Sequence, residues 1–205
     1  MKLIDGYAVP DLDECCYDAV RTEVADLAVS LAFCKQKRTV FQAGGNFGIY
    51  PLELEKHFDT VYTVEPDMDN YRALKQNIAN STKIIPMRAG LGSRDGRAAI
   101  DRAEPTNCGA HMIKQGDEFD IITIDSYNLT DCDFIQLDVE GSEHDALLGA
   151  IDTIELTHPV ITLELKGLGE RYGYTDQDTI NLLASLGYAV ADRVNRDVIF
   201  TYGQS

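Results

Sequence analysis

The segment Asp138-Val139-Glu140-Gly141-Ser142-Glu143 follows the apolar run Phe134-Ile135-Gln136-Leu137. A short apolar run ending in a turn signal reads as a buried strand. Period-two geometry puts Asp138 and Glu140 on one side if the strand persists that far. A carboxylate near apolar surroundings has its pKa raised, which suits proton removal. Asp138 is thus a candidate to meet an ammonium or a hydroxyl, and Glu140 to accept a proton or orient a ligand. The local alternative is that Glu140 and Ser142 cap the next helix, with Gly141 as the turn. His144 stands one helical turn past Glu140. One His beside two carboxylates is a poor ligand set, so no metal is expected there.

A second constellation lies upstream. Gln42-Ala43-Gly44-Gly45-Asn46-Phe47-Gly48 joins the β-rich run 38–43 to a helical segment, 49–58. Glycines allow a sharp turn and close approach of a ligand to the backbone, and the following helix start offers free amides. A dinucleotide fingerprint needs Gly at 44, 46 and 49; Asn46 and Ile49 stand there instead, which argues against a nicotinamide cofactor. Glu65 ends the next β-rich run, 60–65, about twenty residues past the loop, where an acid commonly accepts ribose hydroxyls. Its two oxygens suit a 2′,3′-diol. The alternative is that Glu65 only caps the helix beyond Pro66.

These residues need a frame. Strands over 38–43, 60–65 and 83–87 alternate with helices over 49–58 and 67–80, the order of a parallel sheet with right-handed crossovers. Residues 11–33 read as a preceding helix capped by Asp11 or Asp13. Short strands are expected at 98–100 and 119–124, a strong one at 133–139, then a helix over 142–151. A strand at 160–165, a helix at 176–186 and strands at 188–194 and 197–202 complete the chain. The final pair, around Asn195-Arg196, predicts an antiparallel strand near the C-terminus of a mostly parallel, doubly wound α/β sheet.

The 205 residues suit a single domain, with an N-terminal helical segment, 1–36, packed on a core unit, 37–205. Acidic residues number 34 against 18 Lys and Arg, and a net charge of -16 argues against nucleic acid as the partner. Five cysteines form no Cys-x-x-Cys pair and accompany no His cluster. Reduced thiols and a cytoplasmic location are expected. Met1–Glu14 lacks a secretory pattern, and no apolar run is long enough for a membrane span.

Val40–Gly48, Val61–Pro66, Gln136–Gly141 and Val160–Glu164 together resemble the FkbM family of methyltransferases, over about residues 38–190. The specific part is Gly-x-Asn-x-Gly, Glu-Pro after the second strand, and Asp-Val-Glu-Gly-x-Glu. The resemblance implies a class I methyltransferase fold, Rossmann-like, and transfer of a methyl group from S-adenosylmethionine to a hydroxyl of a small molecule or sugar. It implies that Gly44, Asn46 and Gly48 hold the methionine part, with Gln42, Gly45 and Phe47 in the same loop. Glu65 would hold the ribose, with Asp67 and Met68 near the adenosine. Gly90 and Leu91 would flank the adenine, and Asp138 and Glu140 would face the methyl group. The family usually has an acid where Gln42 stands and a Lys where Gln136 stands. Those two departures support the competing reading, a non-catalytic nucleotide-binding module on the same fold.

Overall fold

The computed structural model describes residues 1–203. The chain runs β1 (Lys2–Ile4), β2 (Tyr7–Val9), α1 (Cys16–Glu23), α2 (Leu27–Phe33), β3 (Thr39–Ala43), α3 (Ile49–Leu54), β4 (Thr60–Val64), α4 (Met68–Asn77) and β5 (Ile84–Met87). It continues through β6 (Ala89–Leu91), β7 (Gly96–Asp101), β8 (Met112–Gln115), β9 (Phe119–Ile122), β10 (Cys132–Leu137), α5 (Glu143–Leu148), α6 (Ile151–Thr157), β11 (Val160–Glu164), α7 (Asp176–Ser185), β12 (Tyr188–Val194) and β13 (Asp197–Tyr202).

The central sheet has seven strands in the order β12-β13-β11-β10-β3-β4-β5. Strands β11, β10, β3, β4 and β5 pair in parallel. β13 runs antiparallel between β11 and β12, as the terminal hairpin predicts. The order reverses between β3 and β10, so their C-terminal ends form the crevice where doubly wound sheets bind ligands. A smaller sheet, β6-β9-β7-β8, fills the connection from β5 to β10.

Alternation along the central strands builds a core on each face. Phe41, Ile135, Leu137, Ile161 and Leu163 pack with Ala146 and Leu147 of α5, Ile154 of α6 and Leu183 of α7. Val40, Phe134 and Val160 pack oppositely with Leu27 and Leu31 of α2, Leu54 of α3 and Leu74 of α4. All strand residues of β3 are buried.

Several elements differ from the sequence expectation, among them the single helix expected over 11–33, which is α1 and α2 joined by a 3-10 turn at Val24–Asp26. The N-terminal segment opens with the β1–β2 hairpin, and the first helix starts at Cys16, not Asp11. Asp13 makes the start: its carboxylate accepts the amides of Cys16 and Tyr17, each at 3.1 Å. The helix expected over 142–151 is two helices. A Cβ at Gly149 would stand 2.1 Å from the Gly92 carbonyl oxygen, so the chain is pinned there. Asp125 then starts α6 by accepting the amides of Asp152 and Thr153. Among the described residues, no helix is long and apolar enough to cross a membrane.

Candidate functional site

A cavity of about 640 Å³ opens at the C-terminal ends of β3, β4, β10 and β11. Gly44, Asn46, Glu65, Gly90, Leu91, Asp138 and Glu140 all line it. Gln42, Gly45, Phe47, Gly48, Asp67 and Met68 do not line it.

The loop after β3 takes its shape from its sequence. Gly44 (φ +85°) and Asn46 (φ +46°) are left-handed, conformations natural to Gly and tolerated by Asn. The amides of Gly44 and Gly45 donate to the Val64 carbonyl, at 3.2 and 2.9 Å. Gln42 is fully buried; its Nε2 donates to the carbonyls of Ala43 and Gly44, and its Oε1 accepts from the Thr63 hydroxyl. Gln42 therefore braces the loop from below. Phe47 lies in the core beside Tyr17, and Gly48 (φ +101°) begins α3.

Glu65 is held at the rim of β4. Its Oε2 accepts the Asn46 amide at 2.7 Å and its Oε1 the Asp67 amide at 2.8 Å. Burial outweighs those bonds and pushes its carboxyl up to about 7. Asp67 caps α4 through the amides of Asp69 and Asn70. Its second oxygen accepts from Arg102 Nε at 2.9 Å and lies 3.2 Å from His111 Nδ1. Burial raises the Asp67 carboxyl, but His111, the Asp69 amide and Arg102 together hold it down at about 2. Asp67 thus ties α4 to the loop carrying Arg102 and His111; His111 lines the cavity.

The strand before Asp138 ends at Leu137, so period-two geometry does not reach Glu140. Glu140 is instead turned inward by left-handed backbone at Glu140 (φ +54°) and Gly141 (φ +101°). A Cβ on Gly141 would meet the Leu168 backbone at 2.7 Å. Glu143 fastens this turn: its Oε1 accepts the amides of Val139 at 3.0 Å and Gly141 at 3.3 Å. Burial pushes the Glu143 carboxyl up to about 7.

Sequence reasoning left Glu164 and Lys166 without a role. Glu164 ends β11 beside β10, and one carboxylate oxygen each from Asp138, Glu140 and Glu164 lies within 4.8 Å of the others. Lys166 Nζ serves as their counter-ion, 3.0 Å from Glu140 Oε1 and 2.5 Å from Glu164 Oε2. Burial, then the Glu164 charge, raises the Asp138 carboxyl well above its usual range. Burial also raises Glu140, but Lys166 opposes that. Arg196, from the β12–β13 turn, lies 3.9 Å from Glu164. The signal in the sequence was weak: one acid at a strand end and one basic residue in a glycine-flanked loop. His144 does not join this group; it is buried, stacked at 3.9 Å on Tyr174, with Nδ1 3.2 Å from the Thr179 hydroxyl.

The fold recurs in solved structures. A methyltransferase FkbM from Methylobacillus flagellatus KT is 18% identical with a TM-score of 0.56; the match covers 81% of this chain and 44% of that protein. The chain therefore spans less than half the length of that relative. The N-methyltransferase NodS from Bradyrhizobium japonicum WM9, in complex with S-adenosylhomocysteine, is 12% identical with a TM-score of 0.55, over 95% of both chains. The magnesium protoporphyrin IX methyltransferase ChlM from Synechocystis PCC 6803, with bound S-adenosylmethionine, is 14% identical with a TM-score of 0.53, over 91% of this chain and 79% of that one. No curated protein sequence matches the chain. The methyltransferase FkbM domain matches residues 42–190, from the glycine loop through Glu65 and the Asp138–Glu143 turn to β12, and this chain belongs to that family.

Proposed function

We propose that this protein methylates a hydroxyl oxygen of a small molecule or a sugar unit. It is a methyltransferase by family, and S-adenosylmethionine is its cofactor. The observation behind the finer reading is that the glycine loop, Glu65 and the Asp138–Glu140–Glu164 carboxyls converge on one cavity. The residues fit the cofactor. Gly44 presents bare backbone to the cavity, where any side chain would run into the Asp138 carbonyl. Glu65 offers a diol acceptor, and Gly90 and Leu91 line the same cavity.

In this reading Gly44 and Asn46 hold the methionine part, with Gln42, Gly45, Phe47 and Gly48 shaping the loop. Glu65 accepts the ribose hydroxyls. Asp67 and Met68, at the start of α4, support the adenosine side, Asp67 through His111. Gly90 and Leu91 flank the adenine. When bound, the cofactor supplies an activated methyl on a sulfonium. The protein's part is to align the acceptor and hold its proton. Asp138, nearer the strand body, positions cofactor and acceptor. Glu140, paired with Lys166, takes the acceptor's hydroxyl proton.

The second reading is a module that binds the cofactor without catalysis. Gln42 favours it, because its amide serves the loop and adds no charge to the site. Calorimetry with S-adenosylhomocysteine, followed by methyl transfer from labelled cofactor to a panel of sugars and phenols, tests both. Binding with no transfer to any hydroxyl would favour the module.

A further inference from the structure

We propose that Asp13, Cys16 and Cys108 form a site for a borderline-soft divalent cation, Zn2+ by preference, that clips the start of α1 to the loop beside the cofactor cavity. Nothing in the cysteine spacing signals it, because the two thiols come from opposite ends of the domain's first half. Asp13 and Cys16 stand at the start of α1, and Cys108 lies in the connection from β7 to β8. Their relative exposures are 1%, 3% and 4%, so three donors of this kind meet nearly buried at the wall of the cavity. One ligand atom from each lies within 4.8 Å of the others.

The donor chemistry selects the ion. Two thiols and a carboxylate suit Zn2+; Mg2+ and Ca2+ demand oxygen ligands. Tetrahedral zinc with bonds of about 2.3 Å to sulfur and about 2.1 Å to oxygen needs only a small contraction of the cluster. The carboxylate is already oriented. Asp13 Oδ1 accepts the amides of Cys16 (3.1 Å) and Cys108 (3.4 Å), and Oδ2 accepts that of Tyr17 (3.1 Å). Such supporting bonds fix a ligating carboxylate, and one lone-pair site of Oδ2 is left for the ion.

A fourth donor stands beside the sulfurs. Asn46 Nδ2 donates to Cys16 Sγ at 3.1 Å, and Asn46 Oδ1 accepts from Cys108 Sγ at 3.5 Å. That oxygen is placed to serve as the fourth ligand, with Asn46 then meeting the cofactor through its backbone. A Cβ at Gly109 would stand 2.8 Å from Cys16 Sγ, so the glycine keeps open the space the sulfur uses. As the metal binds, each thiol releases its proton to solvent and its sulfur lends an electron pair to the ion; no oxidation state changes.

Cys16, Cys108 and Asn46 also line the cavity, and the Glu14 amide already donates to the Thr106 carbonyl at 2.8 Å. The ion would add a strong tie across the same seam. The site shares no residue with the Asp138–Glu140–Glu164 cluster and stands whether or not the acceptor is a hydroxyl.

The test uses the whole, reduced chain after chelation and dialysis. Titration with Co2+ is expected to give one equivalent of thiolate-to-cobalt charge-transfer absorption, which Zn2+ then bleaches while raising the thermal midpoint. Cys16→Ser and Cys108→Ser should each lose the band, and Cys15→Ser should keep it. Asp13→Asn, which can still cap α1, should weaken Co2+ binding by at least about tenfold. A wild type with no thiolate band, a band that survives both serine variants, or a Cys16–Cys108 disulfide in the unreduced protein by mass spectrometry would overturn the proposal.

Discussion

Gly44 and Asp138 meet where β3 and β10 end: a Cβ on Gly44 would stand 2.0 Å from the Asp138 carbonyl oxygen. The glycine also has φ +85°, so Gly44→Ala meets a backbone clash and a strained dihedral together. The variant is expected to lose at least about 2 kcal/mol of stability and its affinity for S-adenosylhomocysteine. Urea unfolding and calorimetry check both losses. A variant as stable as the parent would show that the two strand ends part easily.

Glu65 should set cofactor affinity. Glu65→Ala is expected to weaken S-adenosylhomocysteine binding by roughly 1.5–3 kcal/mol, the scale of hydrogen bonds to a charged group. Hydroxyl donors favour the ionised carboxylate. Because the free Glu65 carboxyl sits at about 7, affinity should strengthen as pH rises from 6 to 8, and Glu65→Gln should flatten that dependence. Equal affinity in parent and Glu65→Ala, with the fold intact, would remove Glu65 from the ribose site.

Stability should fall from mildly acidic to mildly alkaline pH. Burial pushes Glu65, Glu143 and Asp197 each up to about 7. A carboxyl whose pKa rises on folding contributes fully below its unfolded value, about 4, and loses that contribution as pH climbs through 7. Asp67, held down at about 2, acts oppositely: its contribution is present above about 4 and is lost as pH falls toward 2. Thermal midpoints of the ligand-free protein are therefore expected to peak near pH 4 and to drop by several degrees between there and pH 7. A midpoint that holds constant over that range would mean that folding leaves these carboxyls at their ordinary values near 4.

Asp138 and Glu140 should separate in kinetics. Glu140→Gln keeps the shape and removes the charge, so cofactor affinity should stay nearly intact while turnover falls about 100- to 10,000-fold. Asp138→Asn should disturb both. If Glu140→Gln only lowers the thermal midpoint, Glu140 merely shapes the turn before α5. Turnover should also need no added magnesium, because Lys166 already stands as a counter-ion between Glu140 and Glu164. Magnesium-dependent restoration after chelation would make the three carboxylates a metal clamp.

Local patterns wrote much of the frame into the sequence. The alternation of apolar residues in 39–43, 60–64 and 132–137, the left-handed positions at Gly44 and Asn46, and the Asn195-Arg196 turn each act over a few residues. They fixed the parallel strands, the loop after β3 and the terminal antiparallel pair. They also placed Glu65 and Asp138 at strand ends, where the fold's handedness brings ligands. The break at Gly149 was not legible, because it depends on the carbonyl of Gly92, far away in the chain.

What only the tertiary structure decided is which distant side chains meet. Glu164 and Lys166 lie far from Asp138 in sequence, and only the β10–β11 register brings their charges together. Gln42 lies in the same loop motif as Gly44, yet strand alternation turns it into the core, where its amide braces the loop. Cys16 and Cys108 carry no motif at all; α1 folding against the β7–β8 connection makes them neighbours of Asp13. Sequence determines contacts that depend on local dihedrals and periodicity. Contacts between remote segments depend on packing, and packing sets how far each carboxyl and thiol departs from its behaviour in water.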